Sequence, residues 1–257
     1  MGCDIHIYVE KKNNTIRQSM SGGKLYVPVA VFEPWIAVKG INDLTVQEYT
    51  RWAEQDGEDS YWGKRLQEVK KGSYCDWIYD GRNYDLFAML ANVRNGAGFA
   101  GIKTGDGFNI IAEPKGVPMD MSKIIAADYE EWMGDAHSAS WLTLKELKEF
   151  NWKQTTKHSG VINIEQYADY VKLGHPTTWS GDVSGGKVKY LSLDEANEYL
   201  KGKKELDDEF NHYVRVDWTE KYSESAGDFL DFSIPELEKL SLSEDQDDVR
   251  IVFWFDN

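Results

Sequence analysis

Two strongly apolar segments stand at opposite ends of this chain, and whatever fold it adopts has to bury both. Residues 3–10, CDIHIYVE, put Ile5, Ile7 and Val9 on one side and Asp4, His6 and Tyr8 on the other, which is the alternation of a half-buried strand. Residues 250–257, RIVFWFDN, read as a second, more apolar strand. Between them the signals are mostly helical. Capping boxes at Thr45–Glu48, Thr143–Glu146 and Ser192–Glu195 open helices, residues 61–71 and 163–173 have helical character, and Pro235 sits at a first-turn position for a helix over 234–240. Extended structure is expected again at 25–32, where Pro28 favours an edge, over 108–112, and over 211–218, NHYVRVDW. Strands at both ends with short helices between them imply an α+β fold, a single domain over residues 1–257 whose mainly antiparallel sheet pairs the N- and C-terminal strands. Residues 153–190, with Gly174, Gly181, Gly185 and Gly186, read as a loop-rich excursion or lid.

The central stretch, residues 81–118, carries a short amphipathic helix with Leu86, Phe87, Leu90 and Val93 at helical spacing and Asn83 at its N-cap. A loop containing Gly96, Gly98, Gly101, Gly105 and Gly107 follows. Its Gly96–Gly101 run fits GxGxxG literally, but it follows a helix and opens none, so the physics of a dinucleotide fold is missing. Residues 76–118 have a net charge of −1 in a chain of −15. A nearly neutral, arginine-bearing segment of an acidic chain is where an anionic small ligand is tolerated.

The overall charge of −15 excludes nonspecific nucleic-acid binding and docking on anionic membranes. Two cysteines, Cys3 and Cys75, argue against a disulfide-built secreted scaffold. With no secretory h-region and no apolar run of about 20 residues, a cytoplasmic protein is expected.

Asp4-Ile5-His6 and Asp135-Ala136-His137 are both Asp-x-His pairs, and on extended backbone each sets a carboxylate and an imidazole on one side. If the two pairs met, they would supply metal ligands or an acid-oriented base. Ser138, Ser140 and Thr143 lie near a helix start, where hydroxyls can donate to phosphate. His158, His175 and His212 have no partner pattern and are expected at the surface. No serine nucleophile elbow, HExxH or paired CxxC is present.

MGCDIH, GRNYDLFAML with NVRNG, PKGVPMDMS, DAHSASWLTL and VRIVFWFDN together resemble an uncharacterised bacteriophage and bacterial protein family, over roughly residues 1–10, 80–150 and 250–257. The resemblance implies a phage setting, hence the host cytoplasm, and a counter-defence role. Residues and setting together lead to a non-catalytic protein that sequesters a small phosphorylated, nucleotide-like ligand, such as a cyclic nucleotide or ADP-ribose derivative used as an immune second messenger. Arg82 and Arg94 would pair with phosphates, His6, Asn83, His137, Ser138 and Ser140 would hydrogen-bond, and Tyr84, Phe99 or Trp141 would wall the pocket. No cofactor is needed, and a second copy of the chain is one optional partner. One rival is a hydrolase of such a nucleotide using Asp4, His6, Asp135 and His137, with or without a metal. Another is an acidic module that mimics nucleic acid and docks on a basic protein.

Overall fold

A computed structural model describes residues 2–13, 33–38, 43–71, 78–79, 81–244 and 246–256; the strand expected at 25–32 lies outside the described residues. The fold is α+β with largely antiparallel pairing, as expected. The chain divides into two compact units. One, the terminal unit, comprises Gly2–Arg82, Ile111–Phe150 and Asp228–Asn257; the other, the inserted unit, comprises Asn83–Ile110 and Asn151–Gly227.

The terminal unit is built on β1 (Asp4–Lys12) and β7 (Val249–Asp256), paired antiparallel from Asp4↔Asp256 to Lys11↔Val249. With β2 (Trp35–Ala37) and β3 (His137–Thr143) they form a sheet in the order β2-β1-β7-β3. The expected pairing of first and last strands therefore occurs. Val249 to Phe255 are all buried, which requires cover on both faces of β7. On one face α4 (Lys123–Trp132) contributes Ile125 to a cluster with Tyr8, Val252 and Trp254. The unit also holds α1 (Asp43–Asp56) and α2 (Tyr61–Lys71), which pack as a pair, α5 (Leu144–Glu149), opened by the full capping box at Thr143, and α9 (Ile234–Leu240) behind Pro235. Residues 137–143 are strand because their backbone joins the β7 ladder, and they lead directly into α5, which Thr143 caps as expected.

A buried ion cluster crosses this sheet. Arg250 and Glu10 are register partners, 2% and 0% exposed, and Arg250 Nε donates to Glu10 Oε2 at 2.7 Å. Arg250 Nη1 donates to Asp120 Oδ1 at 2.9 Å, and Trp35 Nε1 donates to Asp120 Oδ2 at 2.9 Å. The Ser122 amide donates to Glu10 Oε1 at 2.6 Å, while the guanidinium lies 4.0 Å from the Trp35 ring centroid. So many charge-assisted bonds offset a desolvation cost that a bare pair would not.

The inserted unit contains α3 (Tyr84–Ala91), β4 (Thr155–Asn163), α6 (Tyr167–Leu173), β5 (Val188–Leu191), α7 (Leu193–Leu200), β6 (Asn211–Lys221) and α8 (Tyr222–Ala226). Its sheet runs β4-β6-β5, with β4 antiparallel and β5 parallel to β6. Ile162, Val214, Val216 and Trp218 pack with Tyr167 and Ala196 of α6 and α7. Residues 153–190, expected as a loop-rich excursion, thus supply two strands and a helix of this unit; glycines drew attention away from the alternation in TTKHSGVIN. Residues 108–112 form no strand, since the Phe108 amide and carbonyl bond the Asn95 side chain at 2.7 and 2.8 Å. His158 and His212 are buried at 4% and 5%, against the surface expectation, because each lies on the inward face of its strand.

Arg250→Met would leave Glu10 buried without its counter-ion and should cost about 3–5 kcal/mol of stability. Urea denaturation should show this as a lower midpoint, largely recovered in the Glu10→Leu/Arg250→Met double variant.

Candidate functional site

Most of the residues expected to bind ligand are engaged elsewhere. Arg82 grips Asp4 with Nε and Nη2 at 2.7 and 2.5 Å, and these bonds hold the Asp4 carboxyl below its ordinary range. Arg94 lies over the Tyr84 ring at 4.6 Å. Asn83 caps α3, accepting from the Asp85 and Leu86 amides, and its own amide donates to the Ser225 carbonyl at 2.7 Å. Phe99 is exposed on a short 3-10 turn.

The two Asp-x-His pairs do not converge. His6 pairs across from Trp254, while His137 and Ile5 both pair across from Phe255. Pleating therefore puts His6 and His137 on opposite faces of the sheet. His6 sits between the Trp132 and Trp254 rings, 3.3 Å from Asp256 Oδ2. His137 stacks on Phe255, with Nδ1 3.1 Å from Ser138 Oγ and Nε2 3.9 Å from Cys3 Sγ. Asp135 is exposed in the turn before β3. Ser140 is buried and accepts from the Lys115 amide at 3.0 Å, and Trp141 carries Lys115 Nζ at 4.0 Å from its ring centroid. Among the described residues no group of three or more His, Cys, Asp and Glu could hold a metal ion. The four-residue acid/base or metal set is thus corrected: adjacency in sequence fixed each pair's face but not which face.

A different set comes together in the inserted unit. Residues 102–107 of the glycine loop run along the free edge of β4. The Asp106 amide donates to the Lys157 carbonyl at 2.9 Å, and the Ser159 amide donates to the Thr104 carbonyl at 2.8 Å. Farther along, Val161 and Ser180 exchange backbone bonds at 2.8 and 3.0 Å, so the edge is covered over much of its length. Gly105 permits the close approach, since a Cβ there would overlap the Lys157 carbonyl oxygen. Gly107, at φ +84°, likewise leaves room for the Asn95 side chain that clamps Phe108.

The strand register decides which side chains face this loop from the outer face. Lys157 pairs with Thr219, Ser159 with Asp217 and Val161 with Arg215, so these side chains share one face of the sheet. Of these, Lys157, Ser159, Asp217 and Arg215 line a cleft of about 510 Å3 together with Ile102, Lys103, Gly105, Asp106 and His158. Arg215 Nη2 is held by the Gly181 carbonyl at 3.2 Å and Asp182 Oδ1 at 3.4 Å. Lys103, Lys157, Asp106 and Asp217 have no ion pair or side-chain hydrogen bond among the described residues. Three cations face two carboxylates in this lining and Asp182 balances Arg215, so the cleft is close to neutral in a chain of −15.

The opposite face of the same strands carries a buried polar cluster. His158 stacks on Trp218 at 5.2 Å, and its Nε2 lies 3.5 Å from Ser225 Oγ. Ser225 Oγ donates to Glu220 Oε1 and Trp218 Nε1 donates to Glu220 Oε2, both at 3.1 Å. Burial pushes the His158 pKa down, against the nearby Glu220 charge. Burial also pushes the Asp85 carboxyl up to about 7, with Glu220 adding to the effect. Glu220 thus holds both Ser225 and Trp218 through one carboxylate, and Ser225 is buried.

Comparison with family models, with curated proteins and with solved structures finds no match. The cleft was missed in the sequence although its signal is present. The polar residues at every second position in Thr155-Lys157-Ser159 and Arg215-Asp217-Thr219 mark a solvated strand face.

A carboxyl whose folded-state pKa is raised contributes stability that is full below its unfolded value and fades as pH rises through the folded one. For Asp85 that window runs from its ordinary 3.8 to about 7. The lowered His158 pKa acts oppositely, its cost disappearing as pH rises through the ordinary histidine value of 6.5. Asp85→Asn should therefore make stability climb more steeply between pH 5 and pH 8 than in the parent, as measured by urea denaturation; parallel profiles would contradict it.

Proposed function

We propose that this protein binds and sequesters a small phosphorylated, nucleotide-like ligand in the cleft of the inserted unit. The observation that carries this reading is the gathering of Lys103, Lys157 and Arg215 around one concavity, with Ser159 beside them and both lysines unpaired among the described residues. Cations on that scale matter more locally than the −15 total suggests, since screening cuts long-range repulsion beyond about 8 Å at physiological salt. Ammonium and guanidinium donors suit phosphoryl oxygens, and Arg215 is already oriented by Gly181 and Asp182.

His158 touches the cleft lining, but its neighbours Ser225 and Glu220, hydrogen-bonded to each other, lie on the inward side of the sheet and do not line the cleft. That placement favours holding a ligand over turning it over. In the phage setting implied by the resemblance, such a protein would act in the host cytoplasm as a sponge for an immune second messenger.

The test is a thermal-shift panel of inorganic phosphate, cyclic nucleotides, nucleoside phosphates and ADP-ribose. A ligand bound only by the folded state at 100 times its Kd adds about 2.7 kcal/mol, and the melting temperature should rise accordingly. Lys103→Ala/Lys157→Ala should abolish the shift, since each charge-assisted bond is worth about 1.5–3 kcal/mol. Compound released by heating the complex should be chemically intact. Absence of any shift at millimolar concentrations across the phosphorylated panel would end this reading.

A further inference from the structure

The cleft does not end at Lys157. A second chamber of about 450 Å3 adjoins it, and Asp106 and Lys157 line both. The two chambers differ in chemistry. The first holds the cations Lys103 and Arg215, whereas the second adds the hydroxyls of Thr155, Thr156, Thr219 and Tyr222 and no further charge.

Two of those hydroxyls are already committed. Thr156 Oγ1 donates to the Gly107 carbonyl at 2.5 Å, and Tyr222 Oη accepts from the Asn109 amide at 2.9 Å. The Thr155 and Thr219 hydroxyls and the Asp106 carboxylate make no hydrogen bond among the described residues. Thr155 lies two residues before Lys157 on the same strand face, about 6.6 Å away along the strand, and Thr219 is the cross-strand partner of Lys157. That is about the span from the phosphorus of a pentose 5-phosphate to its ring hydroxyls. Among the described residues, the only ring lining either chamber besides His158 is Tyr222, which is buried and packed edge-on against Phe108 at 4.9 Å and so offers no open platform for a base.

We propose that the paired chambers recognise a ribosyl phosphate, with the phosphoryl group between Lys103 and Lys157 and the sugar's vicinal hydroxyls on Asp106, Thr155 and Thr219. A carboxylate accepts from both hydroxyls of a diol, and threonine hydroxyls can donate to or accept from the same group. The sugar is therefore read through its hydroxyls, and any base lies outside the two chambers. This inference rests on the phosphoryl-binding reading of the cleft and narrows it to ligands with a free ribose diol, against cyclic nucleotides whose sugar hydroxyls are esterified.

The test is calorimetry on the full chain with ribose 5-phosphate, 2-deoxyribose 5-phosphate and inorganic phosphate. Ribose 5-phosphate should bind about tenfold or more tightly than its 2-deoxy analogue, since a site built to bond a hydroxyl rejects the compound lacking it. Asp106→Asn should bring the two sugar phosphates to within about threefold of each other, as should Thr155→Val/Thr219→Val, with unchanged thermal melts showing that the variants are folded. Equal affinities in the parent protein, or a preference that survives both variants, overturn the ribosyl assignment while phosphate binding still upholds the cleft. Failure of all three compounds to bind overturns both.

Discussion

The buried pairing of Glu10 with Arg250 is the constraint around which the terminal unit is arranged. The two residues lie 240 positions apart and are almost wholly removed from solvent. Neither can be buried alone, because an isolated ion in an apolar interior costs several kcal/mol. They therefore require that β1 and β7 be neighbours in one register, with Glu10 opposite Arg250. Asp120, Ser122 and Trp35 complete their hydrogen bonds, which brings β2 and the segment before α4 to the same end of the sheet. A one-residue slip would put the charges on opposite faces and turn the apolar set of β7 over with them.

In the inserted unit the equivalent constraint is the free edge of β4. An exposed strand edge invites pairing with other chains, and here the glycine loop and the segment around Ser180 cover much of it. That covering has a chemical by-product. It sets Lys103 and Asp106 beside the outward-facing Lys157, Ser159, Arg215 and Asp217, and so turns a flat polar face into a concave one. The inward face of the same strands holds His158, Glu220 and Ser225 among aromatic rings, where burial shifts the titration of His158 and Asp85 in opposite directions. One pair of strands thus separates a solvated set of cations from a buried set of acids and bases.

Much of the secondary structure was legible residue by residue. Asn83 caps its helix, the boxes at Thr143 and Ser192 open theirs, and residues 61–71 and 211–218 have the expected character. These signals are local: a cap or an alternation depends on neighbours within four positions. The candidate site was not legible in the same way. Arg82 looked available in an acidic chain, but Asp4 lies close enough in space to take it, and the central glycines mattered less for the GxGxxG resemblance than for the contact of Gly105 with β4. His158 and His212, without sequence partners, proved to be core residues.

By itself, then, the sequence determined that this is an α+β chain with strands at both ends, short capped helices between them and an acidic surface. Periodicity, capping and charge are properties of contiguous residues, so no fold is needed to read them. Only the tertiary structure decided that His6 and His137 face apart, that Arg250 is neutralised inside a sheet, and that Lys103 of a loop meets Lys157 and Arg215 of two strands. Each of these depends on strand register, and register is set by which distant residues can be buried together at the lowest cost in unpaired charge and unbonded backbone.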